Sequence, residues 1–548
     1  MDNMRLLVWA TFSLLLWLTY QSWVAQYPAV VEEIPQSIAG INETSSLPVI
    51  SSAELPLLND SSLAPTLPVT EQGPRQPIRI QTDVLDIVID EQGGDLVRAD
   101  LSNYPIEKNS NTLVRLLDFD QEEKWVFQTG LRSAAGDNEP NHLAQFSANS
   151  NQHNLAAGAE ELVVVLDWQD TGPVRARKVY TFRRGQYAVD LKIILENTGD
   201  EVWRGASYGQ IVRRHNPIDR SFTSVDSYSF IGPVLYDGNE YEKLDVEDLL
   251  DEPVSHNTLT GGWLASIQHH FLAAIVPPSA ESFNYQVTAR GQDYFLTAVS
   301  DIIEVPARGT HEFSLNLFVG PKLQEQLAAA GPELDLTVDY GMLTILAQPL
   351  FWLLQKVHSY VGNWGWAIII VTMLIKLAFY KLTATSGRSM AKMRTLQPRM
   401  KALQETYKDK REELSRHMME LYKREKVNPA AGCLPILIQM PFFFAFYWVL
   451  IETVEIRQAP FMFWLDDLSS RDPYYVLPVL MGAAMLLQTR INPAPPDPMQ
   501  ARIMQIMPVA MSVFFAFFPA GLVLYWLTNT ALSILQQWHI NKGIANSA

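Results

Sequence analysis

The chain has 548 residues, 48% of them apolar and 18% charged, with a formal net charge of −17 and one cysteine, Cys433. That length holds two or three domains, the acidic balance argues against nucleic-acid binding by the whole chain, and a lone thiol rules out an intramolecular disulfide or a cysteine-based metal site. The apolar residues are unevenly spread: long runs at the extreme N-terminus and after Tyr340 enclose a stretch of ordinary polarity.

Leu6 to Val24 is an apolar run of about 19 residues, long enough to cross a bilayer. A cleavable signal peptide is the rival reading, but the run is long for an h-region and no clean small-x-small site follows it. Residues 1–25 are therefore expected to be an uncleaved anchor with its N-terminus inside. Residues 26–78 are rich in Pro, Ser, Thr and Glu, bury too little to fold alone, and read as a disordered linker. From 79 to about 325 the pattern changes to period-two alternation. Leu85, Ile87 and Ile89 alternate with Asp86, Val88 and Asp90; Val189, Leu191, Ile193 and Leu195 alternate with polar neighbours; so do Phe313, Leu315, Leu317 and Val319. Such strands bury one face, and so many of them predict a large antiparallel β-sandwich, outside the cytoplasm if the anchor is N-terminus-in.

Residues 340–360 carry Leu343, Leu346, Leu350, Leu354 and Val357 at helical spacing, as an amphipathic helix on a membrane surface would; a core helix of the β domain is the alternative. Spans are expected at about 363–382, 434–452 and 474–489. Ile503 to Trp538 is 36 residues, roughly 54 Å as one helix against a hydrocarbon core of about 30 Å. Phe518-Pro519-Ala520-Gly521 interrupts it, so two short spans, 503–518 and 521–538, joined by a tight hairpin are expected. The fold class is then a polytopic α-helical membrane protein of six spans, a five-helix core plus the N-terminal anchor, within a core region of 361–541. Lys381 to Lys426 holds 13 Lys/Arg against 6 Asp/Glu, which marks a cytoplasmic loop. Its strong helix formers predict a helical hairpin over 383–430, with natural break points at Pro398 and around Asp409.

Lys376 is the sharpest feature. An ammonium in a span costs about 3 kcal/mol or more and normally faces water or a partner. Snorkelling is the bland alternative, since Lys381 lies close by; but the span runs inward and helical side chains lean toward the N-terminus, which sends this stem into the membrane. Thr372, Lys376 and Tyr380 share one helical face by their spacing. Gln439, Thr528 and Asn529 are polar groups in other spans that either line the same groove or make ordinary interhelical hydrogen bonds. The span centres carry no Asp or Glu, and no His pair, nucleophile triad, phosphate loop or metal-ligand cluster stands out. That argues against an enzyme and against a proton-coupled pump, which would want a buried carboxylate, and no cofactor or metal is expected. Prolines 435, 441, 478 and 508 and the recurring methionines are either ordinary membrane packing or a pliable surface for varied helices.

The order Ser389-Met390-Ala391-Lys392-Met393, Leu396-Gln397-Pro398, Leu421-Tyr422-Lys423, Val427-Asn428-Pro429, Gly432-Cys433, Gln439-Met440-Pro441 and Gly521 to Trp526 resembles the YidC/Oxa/Alb family of membrane protein insertases, over about Tyr340 to Asn541. The whole layout resembles the Gram-negative bacterial form, with its N-terminal anchor and periplasmic β-sandwich. The resemblance implies a protein of the inner membrane that inserts and folds newly made membrane proteins, alone or beside the Sec translocon and its accessory subunits. Its implied partners are ribosome–nascent chain complexes, the signal-recognition pathway and membrane lipids. It implies a hydrophilic groove whose positive residue is Lys376, where the family usually has arginine, so that bidentate hydrogen bonding is lost. Thr372 matches a groove position, and Trp526 stands where tyrosine is common. The tail after Trp538, with Lys542 its one basic residue, is unlike the long basic tails of ribosome-docking relatives. An enzyme or sugar transporter is the rival class: the sandwich resembles sugar-epimerase-like domains that often bind carbohydrate, and Trp168 and Trp203 are its candidate stacking residues, with core packing the favoured alternative for them.

Overall fold

The computed structural model describes residues 77–108, 110–134, 139–168, 170, 172–217, 229–407, 410–425, 427, 434–491 and 498–547. The expected anchor, nearly all of the expected linker, and the stretches Asn428-Pro429 and Gly432-Cys433 lie outside these residues. The described chain divides into two compact units, one of residues up to 348 together with 447–460, the other of 349–446 with 461–547.

The first unit is built from sheets of five, nine and six strands. Two of the alternating segments read in the sequence become neighbours in the nine-stranded sheet. Ala188–Asn197 pairs antiparallel with Thr310–Pro321, setting Val189 opposite Leu317, Leu191 opposite Leu315 and Ile193 opposite Phe313. All six are buried, so one face of this pair is a continuous apolar layer, and their polar alternates take the other face. Next to it lie Phe271–Val276 and Trp263–Ile267, buried along their entire length. Covered on both faces, these strands show no alternation. The pairing is antiparallel apart from a short parallel match of Ile78–Gln81 with Gln152–Asn154. Short α-helices in the unit include α1 (Val246–Asp251) and α2 (Gln324–Ala330).

Lys178 is fully enclosed in this unit. Lys178 has no exposed side-chain surface and donates to Asp95 Oδ1 (3.0 Å), Gly93 O (2.5 Å), Thr129 O (2.9 Å) and Thr129 Oγ1 (2.7 Å). Burial lowers its pKa, and the Asp95 carboxylate opposes that shift.

Residues 447–460 belong to the same unit. His269 donates from Nε2 to Ile451 O (3.0 Å), Ser229 donates to Glu452 Oε1 (2.6 Å), and Arg457 and Gln458 donate to Pro105 O (3.0 and 3.1 Å). Glu455 sits half-buried among them, and burial pushes its carboxyl up to about 7. Lys322 is buried close by and is lowered by burial to about 8.

The second unit is helical. Thr344–Val361 (α3) starts just before it, and Trp364–Ala378 (α4), Tyr380–Thr406 (α5), Arg411–Arg424 (α6), Leu434–Glu452 (α7), Val476–Ile491 (α8), Pro498–Phe515 (α9) and Ala520–Ser547 (α10) follow. On α3 the residues Ala347, Leu350, Phe351 and Leu354 are buried, while Ile345, Trp352 and Tyr360 stand exposed. α4 is capped by Asn363, whose side chain accepts from Trp366 N (3.1 Å) and donates to Phe461 O (3.0 Å). Gly365 is required beside it: a Cβ there would lie 2.0 Å from the Phe461 ring.

The expected first span is not one helix. It breaks at Phe379, and α4 and α5 meet at 71°. No proline or glycine marks the break; Phe379 instead packs edge-on against Phe442 at 5.2 Å. α5 then runs directly into the expected hairpin. Pro398 does not interrupt it but lies inside the helix, and the turn comes between Thr406 and Arg411. The hairpin closes around Leu396, Met400, Met418 and Val427, with Arg399 paired to Glu425 at 2.8 Å.

The interruption expected before Gly521 is where α9 ends and α10 begins. This turn is held by backbone bonds from Ala520 N to Ser470 O (2.7 Å) and Gly521 N to Leu468 O (2.9 Å). The buried carboxylate of Asp472 satisfies the start of α8, accepting from Leu477 N (2.7 Å) and Tyr474 N (3.0 Å), and also from Trp464 Nε1 (3.0 Å). Among the described residues no single helix is long and apolar enough to cross a membrane; the bent pair α4–α5 meets that test, and Leu437–Glu452, Val476–Ile491 and Arg502–Phe515 are shorter apolar helices.

Candidate functional site

The polar residues of the helical unit converge from α4, α7 and α10. Lys376 falls in the last turn of α4, where the carbonyl end of the helix favours a cation. It is half-buried and donates from Nζ to Ser533 Oγ on α10 at 2.7 Å. No ion pair to it is present among the described residues. Ser533 in turn donates to Asn529 O, one helical turn back, at 2.8 Å. The Asn529 side chain reaches Gln439 Oε1 on α7 at 3.4 Å. Further along α10, Gln536 donates to Thr383 Oγ1 at 2.8 Å and Gln537 to Asn541 Oδ1 at 3.0 Å.

An aromatic wall adjoins this chain of polar groups. Trp526 meets Phe443 edge-on at 4.9 Å and Phe515 at 5.4 Å, and Tyr525 stacks on Phe446 at 4.6 Å. Among the described residues the site thus has a positive charge with no ion-pair partner, a run of neutral hydrogen-bonding groups, and a flat apolar side. Such a surface stabilises a polar or acidic chain segment without the full cost of removing it from water.

The sequence-read residues fare unequally. Lys376, Gln439 and Asn529 join one connected set, and Trp526 flanks it. Thr372 is 1% exposed, and its hydroxyl donates to Ile368 O of its own helix at 2.7 Å; its proton is committed there. Tyr380 opens α5 beyond the 71° break and is 44% exposed, so Thr372, Lys376 and Tyr380 do not form a stripe along one continuous helix. Ser533 was not singled out by the sequence. The signal for it is the spacing Asn529, Ser533, Gln537, Asn541, a polar line of four-residue steps along α10. In the sandwich, Trp203 is buried with Phe313 edge-on at 6.3 Å, a core position with no face free for a sugar.

Outside this polar line the helices leave wide apolar faces exposed, including Val479 and Leu487 on α8 and Ile503, Ile506, Val509 and Val513 on α9. Apolar surface of that extent belongs against lipid or a partner, and a cation drawn inward among helices is typical of a membrane setting. The class is therefore a helical membrane protein with an appended β-sandwich domain.

Comparison with known proteins makes this specific. Residues 77–353 match the YidC periplasmic domain and residues 356–547 match the 60Kd inner membrane protein. The membrane protein insertase YidC of Nitrosococcus oceani is 44% identical over 551 residues, covering 99% of each chain. That of Alkalilimnicola ehrlichii is 48% identical over 470 residues, covering 85% of this chain and 83% of its own. That of Thioalkalivibrio sulfidiphilus is 43% identical over 99% of both. The chain belongs to the YidC family of membrane protein insertases: it is an inner-membrane protein, and its β-sandwich is the family's periplasmic domain.

Proposed function

We propose that this protein inserts and folds newly made inner-membrane proteins through the groove lined by Lys376, Gln439, Trp526 and Asn529, with Thr372 and Tyr380 at its margins. The observation that carries this reading is the state of Lys376. Its ammonium is drawn in among apolar helices and, among the described residues, has one neutral acceptor and no acid paired with it, which leaves charge and donors for a visiting group. A polar or acidic segment of a nascent chain enters the groove part-way, is held transiently by Lys376, and its apolar helix leaves along the exposed faces of α7 and α9. The short helices thin the local bilayer and lower the remaining barrier. The chemistry is non-covalent, so no cofactor and no enzymatic step is required.

In this reading the chain crosses the membrane six times with both termini in the cytoplasm, α3 lies along the outer surface, and the α5–α6 hairpin projects inward. The same reading has the α5–α6 hairpin meet ribosome–nascent chain complexes and the signal-recognition pathway, and has the protein work alone or beside the Sec translocon. The test is complementation in cells depleted of their own insertase. Lys376→Arg is expected to support growth and insertion, and Lys376→Glu to lower insertion at least tenfold. Equal support by both variants would remove the charge from the account.

A further inference from the structure

We propose that Ser533 is a positioning residue for Lys376: its hydroxyl parks the ammonium at the groove without neutralising it. The inference rests on the reading of Lys376 as the groove charge and adds to it the group that sets where that charge stands.

The geometry makes Ser533 a one-way partner. Its single proton is given to Asn529 O at 2.8 Å, the usual back-bond of a helical serine to the carbonyl four residues earlier. That fixes the hydroxyl rotor and leaves lone pairs for α4, where Lys376 Nζ donates at 2.7 Å. An ammonium has three donors and no acceptor, so one is spent on Ser533 and, among the described residues, the other two have no partner.

The need for such a partner follows from the residue type. A lysine is a point charge on a flexible four-carbon stem, whereas an arginine brings a rigid planar fork that orients itself. With lysine at this position the orientation has to come from outside the side chain. A carboxylate in place of Ser533 would supply it too, but would cancel the charge that the groove offers. A hydroxyl orients the ammonium and leaves its charge intact. The contact also ties α4 to α10, two of the three helices that carry the polar set.

The experiment uses the full chain in cells depleted of their own insertase, with abundance of every variant checked by immunoblot. Two forms of one small membrane-protein substrate are followed by protease protection: one with two acidic residues in its translocated segment, one with both replaced by their amides. The readout is the ratio of acidic to amide insertion, which a general folding defect does not move. Ser533→Ala is expected to lower the ratio about threefold, the size of an interhelical hydrogen bond in a membrane. Ser533→Thr, which keeps the hydroxyl, restores it. In a Lys376→Gln background Ser533→Ala should have no further effect. An unchanged ratio in Ser533→Ala, or a drop of the same size in the Lys376→Gln background, overturns the assignment while leaving Lys376 in place. A normal ratio in Lys376→Gln alone shows instead that the groove-charge reading is at fault, and the Ser533 assignment falls with it.

Discussion

Lys178 in the sandwich and Lys376 in the helical unit are both cations drawn into apolar surroundings, and their environments are opposite. Lys178 is sealed from solvent with four acceptors around its ammonium, one of them the Asp95 carboxylate. Every donor is used and the charge is paired. Lys376 is half-buried, has a single neutral acceptor, and faces no acid among the described residues. A saturated buried cation is a structural device, because removing its partner leaves an uncompensated charge. An unsaturated one in a membrane setting is available to a ligand. The same residue type therefore stabilises one unit and, in the proposed function, supplies the groove charge of the other.

The comparison can be broken most forcefully at Lys178. Lys178→Ala leaves the buried Asp95 carboxylate with its Thr129 hydrogen bonds but no counter-charge, and is expected to destabilise the sandwich by about 3–5 kcal/mol, read from denaturant unfolding of the purified full chain by tryptophan fluorescence. The double variant Lys178→Met with Asp95→Leu should recover much of that loss, since apolar replacement of a buried pair is often neutral. A loss under about 1 kcal/mol for the single variant would show that the pair is not the device described. In the helical unit Gly365→Ala sets a methyl against Phe461, which costs about 1–3 kcal/mol of overpacking. It should appear as a lower melting temperature in detergent, partly relieved by Phe461→Ala.

A titrating group sharpens the comparison from a third position. Glu455 has its carboxyl raised to about 7 by burial, so folding favours its protonated form. The stability from this group is complete below its ordinary value near 4.5 and is lost as pH rises through about 7. Glu455→Gln should flatten the pH dependence over that interval. At pH 8 it should stabilise the protein by about 1–2 kcal/mol, reduced from the full shift because the side chain is partly solvated. A melting curve equally steep in pH for the variant would locate the titration elsewhere. The smallest effect is expected at Gln439. Its contact with Asn529 is long, at 3.4 Å, so Gln439→Ala should change stability by less than about 0.6 kcal/mol while still lowering insertion.

Legibility in the sequence followed the same physics. Strands with one wet face announced themselves, as Val189 to Leu195 and Phe313 to Val319 did, and the structure pairs those two directly. Trp263–Ile267 and Phe271–Val276, buried on both faces, carry no period to read. Lys376 was legible because a cation in an apolar run is costly wherever it points. Ser533 was not, because a serine in a helix satisfies itself on the carbonyl four residues back and needs no explanation alone. Tyr380 was misplaced because the bend at Phe379 has no proline or glycine to signal it. Pro398 signals a break that the helix does not make.

The central claim is that a nascent chain occupies the groove beside Lys376, and site-specific photocrosslinking during synthesis of a small membrane protein tests it most directly. Photoreactive residues placed singly at Gln439, Asn529 and, as an apolar-face control, Val513 report which surface the polar part of the substrate touches. The account expects an acidic translocated segment to crosslink from Gln439 and Asn529 well above Val513, and expects Lys376→Glu to remove that preference. Crosslinks from Val513 equal to those from the groove, or a groove preference that survives Lys376→Glu, would contradict it.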